Sequence, residues 1–246
     1  MKISFCSSAK YPKSNIANEA MVREVFKDFI NPNKPVHNHD VYVKGFDSLK
    51  QALDFLAELS FSQKDIDTVK RYGVAPVFKS GAEALLLAQK NNIKIVYDKV
   101  SNPDVHAQWV NSDNKVIIND RYKNTKNLAE IYAISAAIFH ELSHAKDGDD
   151  TTSIQEEINC LGMNALAFNV FRNKRPDLFK NQNAPIIEDG VELYTNLFFG
   201  NDENALVKRI KLKYGYLPIS NSKHTLSDFA KKHFSQETSN KQVNSK

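Results

Sequence analysis

Ala136-Ala137-Ile138-Phe139-His140-Glu141-Leu142-Ser143-His144-Ala145 is the stretch on which the reading of the chain turns. On an α-helix, residues four apart lie one above the other on the same face, so His140 and His144 can aim a ring nitrogen at one point. That point suits a zinc ion, which takes imidazole nitrogen at about 2.0–2.1 Å in a tetrahedral site. Glu141, next to the first ligand, can reach a water at the ion without occupying the metal. Two ligands that fix a cation and a carboxylate that takes a proton from water are the parts of a hydrolytic centre.

The flanks support a helix. Leu128, Ile131, Ile134, Ala137 and Ile138 recur at helical spacing, Asn124 or Thr125 can cap the start, and no Gly or Pro intervenes before Gly148. On a largely buried helix, two imidazoles and a carboxylate need a common partner, because unpaired polar groups are costly there. The run from Ala137 to Ala145 resembles the zincin metallopeptidases, which keep uncharged residues around both His; Leu142, Ser143 and Ala145 comply and Lys146 departs. The resemblance spans about 60 residues, 109–168. It implies an α+β fold, a mostly helical zincin-like domain with a small, mainly antiparallel sheet beside the His-Glu helix. It also implies Zn²⁺ held by His140 and His144, Glu141 as general base, and a peptide or protein substrate.

A third protein ligand is needed, with the fourth position left for water. The metzincin branch places a third His within the next six residues, and 145–150 contains none. The gluzincin branch takes a Glu from the following helix. Here Thr151, Thr152 or Ser153 can cap a helix over 154–171, and Ser153 with Glu156 has capping-box spacing. Glu157 is favoured as the ligand, because it shares a face with Ile154, Leu161 and Phe168 and Cys160 follows it as in the Glu-x-x-Ala pattern of several gluzincins. Glu156 stays the alternative, since a modest rotation of the helix turns it inward. An acidic first turn complementing the helix dipole accounts for at least one of the two.

Residues 105–110 and 116–119 read as strands joined by a polar turn, and 93–97 as a further strand following a helix over 81–89. Gln108-Trp109-Val110 or Val116-Ile117-Ile118 resembles the zincin edge strand that pairs with extended substrate, a backbone-reading mode suited to peptides. Tyr194, Tyr214, Tyr216, His224 and His106 are candidates to stabilise an oxyanion, and spacing does not choose among them. Asp147, Asp149 and Asp150 around Gly148 are oxygen ligands for calcium in principle, though the run is too short for an EF-hand and reads as a solvated turn. His37, His39 and Asp40 read as a polar loop rather than a metal site.

The chain has 246 residues, 41% hydrophobic and 25% charged, as in a globular protein with a sizeable core. Its net charge of +4 is spread among Lys interspersed with Asp and Glu, which makes no case for nucleic acid. Cys6 and Cys160 provide no disulfide framework, and the short apolar run before Cys6 is below signal-peptide length. No run approaches about 18 apolar residues, so no membrane span is expected. A cytoplasmic location follows by default, with export as an effector open. Helices are expected at 16–30, 47–59, 63–72, 187–198 and 203–214, giving an N-terminal helical region (1–78) packed on a catalytic domain (79–234) with a disordered tail (235–246). The expected function is zinc-dependent peptide hydrolysis. The alternative is a non-catalytic zincin-fold binding or effector protein with a structural or vestigial metal.

Overall fold

The computed structural model describes residues 48–100, 102–148, 152–180 and 184–235. The expected helix at 16–30, the His37/His39/Asp40 loop, Cys6, Asp149, Asp150 and the tail beyond 235 lie outside them. The elements run α1 (Ser48–Ala57), α2 (Gln63–Lys70), α3 (Gly81–Lys90), β1 (Lys94–Asp98), β2 (Ala107–Val110), β3 (Lys115–Asn119), α4 (Leu128–Ala145) and α5 (Ile154–Lys174). A π-helical segment (Ile186–Glu192) then continues into α6 (Leu193–Phe199), followed by α7 (Glu203–Tyr214) and α8 (Asp228–Phe234). The fold is α+β and mostly helical, with one small sheet. Among the described residues no helix is long and apolar enough to cross a membrane.

The antiparallel pair α4 and α5 is the axis of the molecule. Asn127 caps α4 by accepting from the Ala129 N–H. Neither Asn124 nor Thr125 does so, and Thr125 has other work: its hydroxyl donates to Glu130 and accepts from the Asn127 N–H. From Ala133 to Ala145 every residue of α4 is buried. Helix α5 is buried from Ile154 to Asn169 on all its faces, so its polar residues must find partners inside. Gln155 donates to the Gly73 carbonyl and accepts from the Ser227 N–H, while Asn159 accepts from the Ala75 N–H. The first N–H groups of α5, which have no intrahelical acceptor, donate to the carbonyls of Pro218 and Ile219. The segments at 73–75 and 218–227 thus wrap the helix from outside.

Apolar residues of α1 and α2 (Leu49, Leu53, Leu56, Val69) belong to the same continuous core as those of α4 and α5. Lys146, the departure from the zincin pattern, lays its ammonium 4.9 Å from the Phe78 ring centroid and donates to the Val77 carbonyl, so a charged end costs the helix exit nothing.

Close packing of α5 gives a test of the core. A Cβ on Gly162 would overlap Val74 Cγ2 and approach Val74 Cγ1 to 2.6 Å. Gly162→Ala is therefore expected to lower stability in urea denaturation by about 1–3 kcal/mol, although Ala is the better helix former by up to about 1 kcal/mol. Adding Val74→Ala should recover part of the loss; a single variant more stable than wild type would contradict the packing.

The sheet order is β1-β3-β2, with β2 antiparallel and β1 parallel to β3. The expectation of a mainly antiparallel sheet is corrected to a mixed one. The short link between β2 and β3 dictates their hairpin, with Asn114 in the left-handed region at φ 51° closing the turn. The five-pair parallel register from Lys94↔Lys115 to Asp98↔Asn119 is a non-local choice: the chain lays β2 on the far edge before β3 returns to the middle. Strand β2 is therefore an edge, and its outer side meets α4.

Candidate metal centre

His140 and His144 lie one turn apart on α4, and their Nε2 atoms approach to 3.2 Å. The first turn of α5 brings Glu157 to both, with Oε1 3.7 Å from His144 Nε2 and Oε2 4.0 Å from His140 Nε2. Donors bound to one tetrahedral ion at about 2.0–2.1 Å stand roughly 3.3–3.4 Å apart. The three side chains match that triangle with only small adjustments. The Glu157 carboxylate is buried beside Tyr214 and Lys213, and its Oε2 makes no close hydrogen bond among the described residues, a state that a cation would relieve. Two imidazole nitrogens and one carboxylate oxygen are also the donor set that zinc accepts while keeping a fourth position open. The residues present fit the ion.

The two glutamates are sorted by their neighbours. Ser153 caps α5 by accepting from the Glu156 N–H, and the Glu156 carboxylate turns away from the donor triangle to accept from His144 Nδ1 at 2.7 Å. A carboxylate there holds a proton on Nδ1, so that Nε2 is the nitrogen a metal would take. Glu156 thus stands behind His144, where it orients the ring.

Its second oxygen is held by Asn221 Nδ2 at 3.4 Å. Asp147 and His224 complete a second group with Glu156. Asn159 Oδ1 is taken by Ala75 and Gln155, so its Nδ2 faces His224 Nδ1, and His224 Nε2–H donates to Asp147 at 2.6 Å. With that nitrogen protonated, the three groups are held together by hydrogen bonds of their own. Asp147, the one aspartate of the turn among the described residues, is half-buried and accepts from His224.

Charge is finely disposed here. Burial, reinforced by His144, pushes His140 well below the usual imidazole range. Burial also pulls on His144, but Cys160, Glu157 and Glu156 outweigh it and hold the ring well above that range, a sign of negative potential where the Nε2 atoms meet. Glu141 is 3% exposed, and burial with Glu157 nearby raises its carboxyl to about 7, against the pull of His144, Trp109 and Lys213. The Trp109 N–H of edge strand β2 donates to Glu141 Oε2 at 2.7 Å and fixes one oxygen of the carboxylate. The Trp109 ring is partly buried against the core.

Beside Glu141 and His140 is a cavity of about 20 Å³, room for one water, walled by Ala137, Leu161, Ile186 and Val191 and reached by His106 and Tyr194. Of the five oxyanion candidates, only His106 and Tyr194 line it. Tyr214 lies 1% exposed beside Lys213, Tyr216 is 67% exposed, and His224 is behind Glu156. Two further groups take part, and of these Lys213 has no distinguishing mark in the sequence. Lys213, in the Lys-rich end of α7, is buried with its ammonium 5.3 Å from the Tyr194 ring and 5.1 Å from the Tyr214 ring. Burial lowers it to about 7, while Glu157 and Glu141 pull the other way. Cys160, a free buried thiol on α5, sits against His144.

Comparison with protein-family models, curated proteins and solved structures finds no match.

Proposed function

We propose that this chain is a zinc-dependent peptidase of gluzincin type, with His140, His144 and Glu157 as metal ligands and Glu141 as general base. The observation that carries the reading is the meeting of three buried donors, with 3.2 Å between the two Nε2 atoms and 3.7 and 4.0 Å from them to the two oxygens of Glu157. Zinc in such a site polarises a carbonyl and makes water more acidic. Glu141, held by the Trp109 N–H on one oxygen, has the other for a water in the adjoining cavity. It takes a proton as the water oxygen bonds to the peptide carbonyl carbon, then delivers that proton to the leaving nitrogen as the C–N bond breaks. A carboxyl poised near neutrality suits both transfers.

One observation favours a second reading, a structural metal in a binding protein. The ligands and Glu141 are at most 9% exposed, and the adjoining cavity of about 20 Å³ is too small for a peptide. Incubating the purified chain with a fluorescence-quenched peptide library, with and without a zinc chelator, separates the two. Cleavage that stops on chelation and returns with zinc is expected. Stoichiometric zinc, no cleavage and unfolding on chelation would establish the structural reading instead.

A further inference from the structure

One stretch of chain, from the end of α7 to Ser227, meets both glutamates of α5. Lys213 and Tyr214 stand beside Glu157. Farther along, Asn221 Nδ2 donates to Glu156 Oε2 at 3.4 Å, and His224 Nε2 lies 4.0 Å from the same oxygen. The His224 Nε2–H donates to Asp147 at 2.6 Å, while the Asp147 N–H extends the last turn of α4 by donating to the His144 carbonyl at 3.1 Å. His224 thus stands between the end of α4, which carries His144, and the first turn of α5, which carries Glu156 and Glu157.

The stretch is itself bound to α5 at both ends. The Ile154 and Gln155 N–H groups donate to the Pro218 and Ile219 carbonyls, and Ser227 donates through its N–H and its hydroxyl to Gln155 Oε1. Asn221 Oδ1 accepts from the N–H groups of Lys223 and His224, which fixes the side chain with its Nδ2 toward Glu156. Asn159 Nδ2 faces His224 Nδ1, so the ring proton sits on Nε2, where it serves Asp147. Lys223 adds a bond to the Asp147 carbonyl.

We propose that Asn221 and His224 are positioning residues of the metal centre, a clamp that holds Glu156 against His144 and ties the end of α4 to the start of α5. This role rests on the metal reading of the site and not on peptide hydrolysis. A working site tolerates misplacement of its donors by only roughly 0.5 Å, and here the donors come from two helices. Glu156 orients His144 through Oε1, 2.7 Å from Nδ1. Held through Oε2 as well, the carboxylate cannot swing off the ring, and His144 keeps the orientation that offers Nε2 to an ion.

Zinc affinity of the full chain, measured by competition with a fluorescent chelator, tests the clamp. His224→Phe keeps a ring but loses the donor, and is expected to weaken zinc binding by about 10-fold. His224→Gln, whose amide can still donate to Asp147, should lose less. In a Glu156→Ala background His224→Phe should cause no further weakening, because the carboxylate it acts through is gone; a residue that only supported the fold would weaken zinc equally in both backgrounds. Asn221→Ser removes the other donor to Glu156 while its hydroxyl can keep the turn, and should weaken zinc in the same direction. It carries the test if the His224→Phe chain does not fold. Wild-type affinity in the folded variants, or an equal loss with and without Glu156, overturns the clamp alone. A wild-type chain that binds no zinc overturns the metal reading and the clamp with it.

Discussion

Glu141→Gln is expected to reduce peptide hydrolysis by about 10²–10⁴-fold while one zinc per chain remains bound. Gln can still accept the Trp109 N–H, so the fold of the site is kept and only the proton acceptor is lost. The same change should stabilise the metal-free protein. Glu141 is raised from 4.5 to about 7, so between those values the folded chain keeps a proton that the unfolded chain has released. Stability therefore falls as pH rises through that window and stays lower above it. Gln carries no such penalty, and the variant should gain up to about 3 kcal/mol at pH 8, shrinking toward zero as pH falls to the ordinary carboxyl value. Chemical denaturation at pH 8 and pH 5 checks the sign. A variant that keeps wild-type turnover would remove Glu141 from the mechanism, and one with no stability gain at pH 8 would remove the buried-carboxyl account.

The second large effect separates the two adjacent glutamates. His140→Ala and Glu157→Ala should each abolish zinc retention after dialysis, because each removes one corner of the donor triangle. Glu156→Ala should leave zinc bound but about 10–100-fold more weakly, as for other carboxylates that orient a ligating imidazole. Zinc at a thousand times its Kd should add about 4 kcal/mol to wild-type stability, a gain absent in His140→Ala. If Glu156→Ala lost the metal and Glu157→Ala kept it, the register assigned to α5 would be reversed.

How far the site could be read before folding depends on the distance over which each feature is decided. The relation of His140, Glu141 and His144 is one helical turn, and Ser153 marks the start of α5 by its own hydrogen bond. Both are local and legible. Periodicity places α5 and favours Glu157 through the face it shares with Ile154, Leu161 and Phe168, but the helix is buried all round, so that stripe alone leaves Glu156 open. The choice between Glu156 and Glu157 waited on where α5 lies against α4. Asn127 caps α4 in place of Asn124 or Thr125, because Thr125 spends its hydroxyl on Glu130. Helix α8 was not anticipated: it is seven residues long, and its Ser227 cap is fixed by Gln155, more than seventy residues away.

Lys213 and His106 show the limit most clearly. Nothing in Lys211-Leu212-Lys213 distinguishes buried Lys213 from half-buried Lys211, which lies over the Phe234 ring, and nothing near His106 announces that Arg121 will meet its Nδ1. By itself the sequence determined a buried helix with two imidazoles and a carboxylate on one turn, followed by an acidic helix start. Helix periodicity and capping act over a few residues and are written in the side chains themselves. The tertiary structure alone decided which glutamate meets the two imidazoles, which carboxylate stands behind His144, and which strand edge holds Glu141. Those contacts join elements far apart in the chain, and the packing of α4, α5 and the sheet sets them.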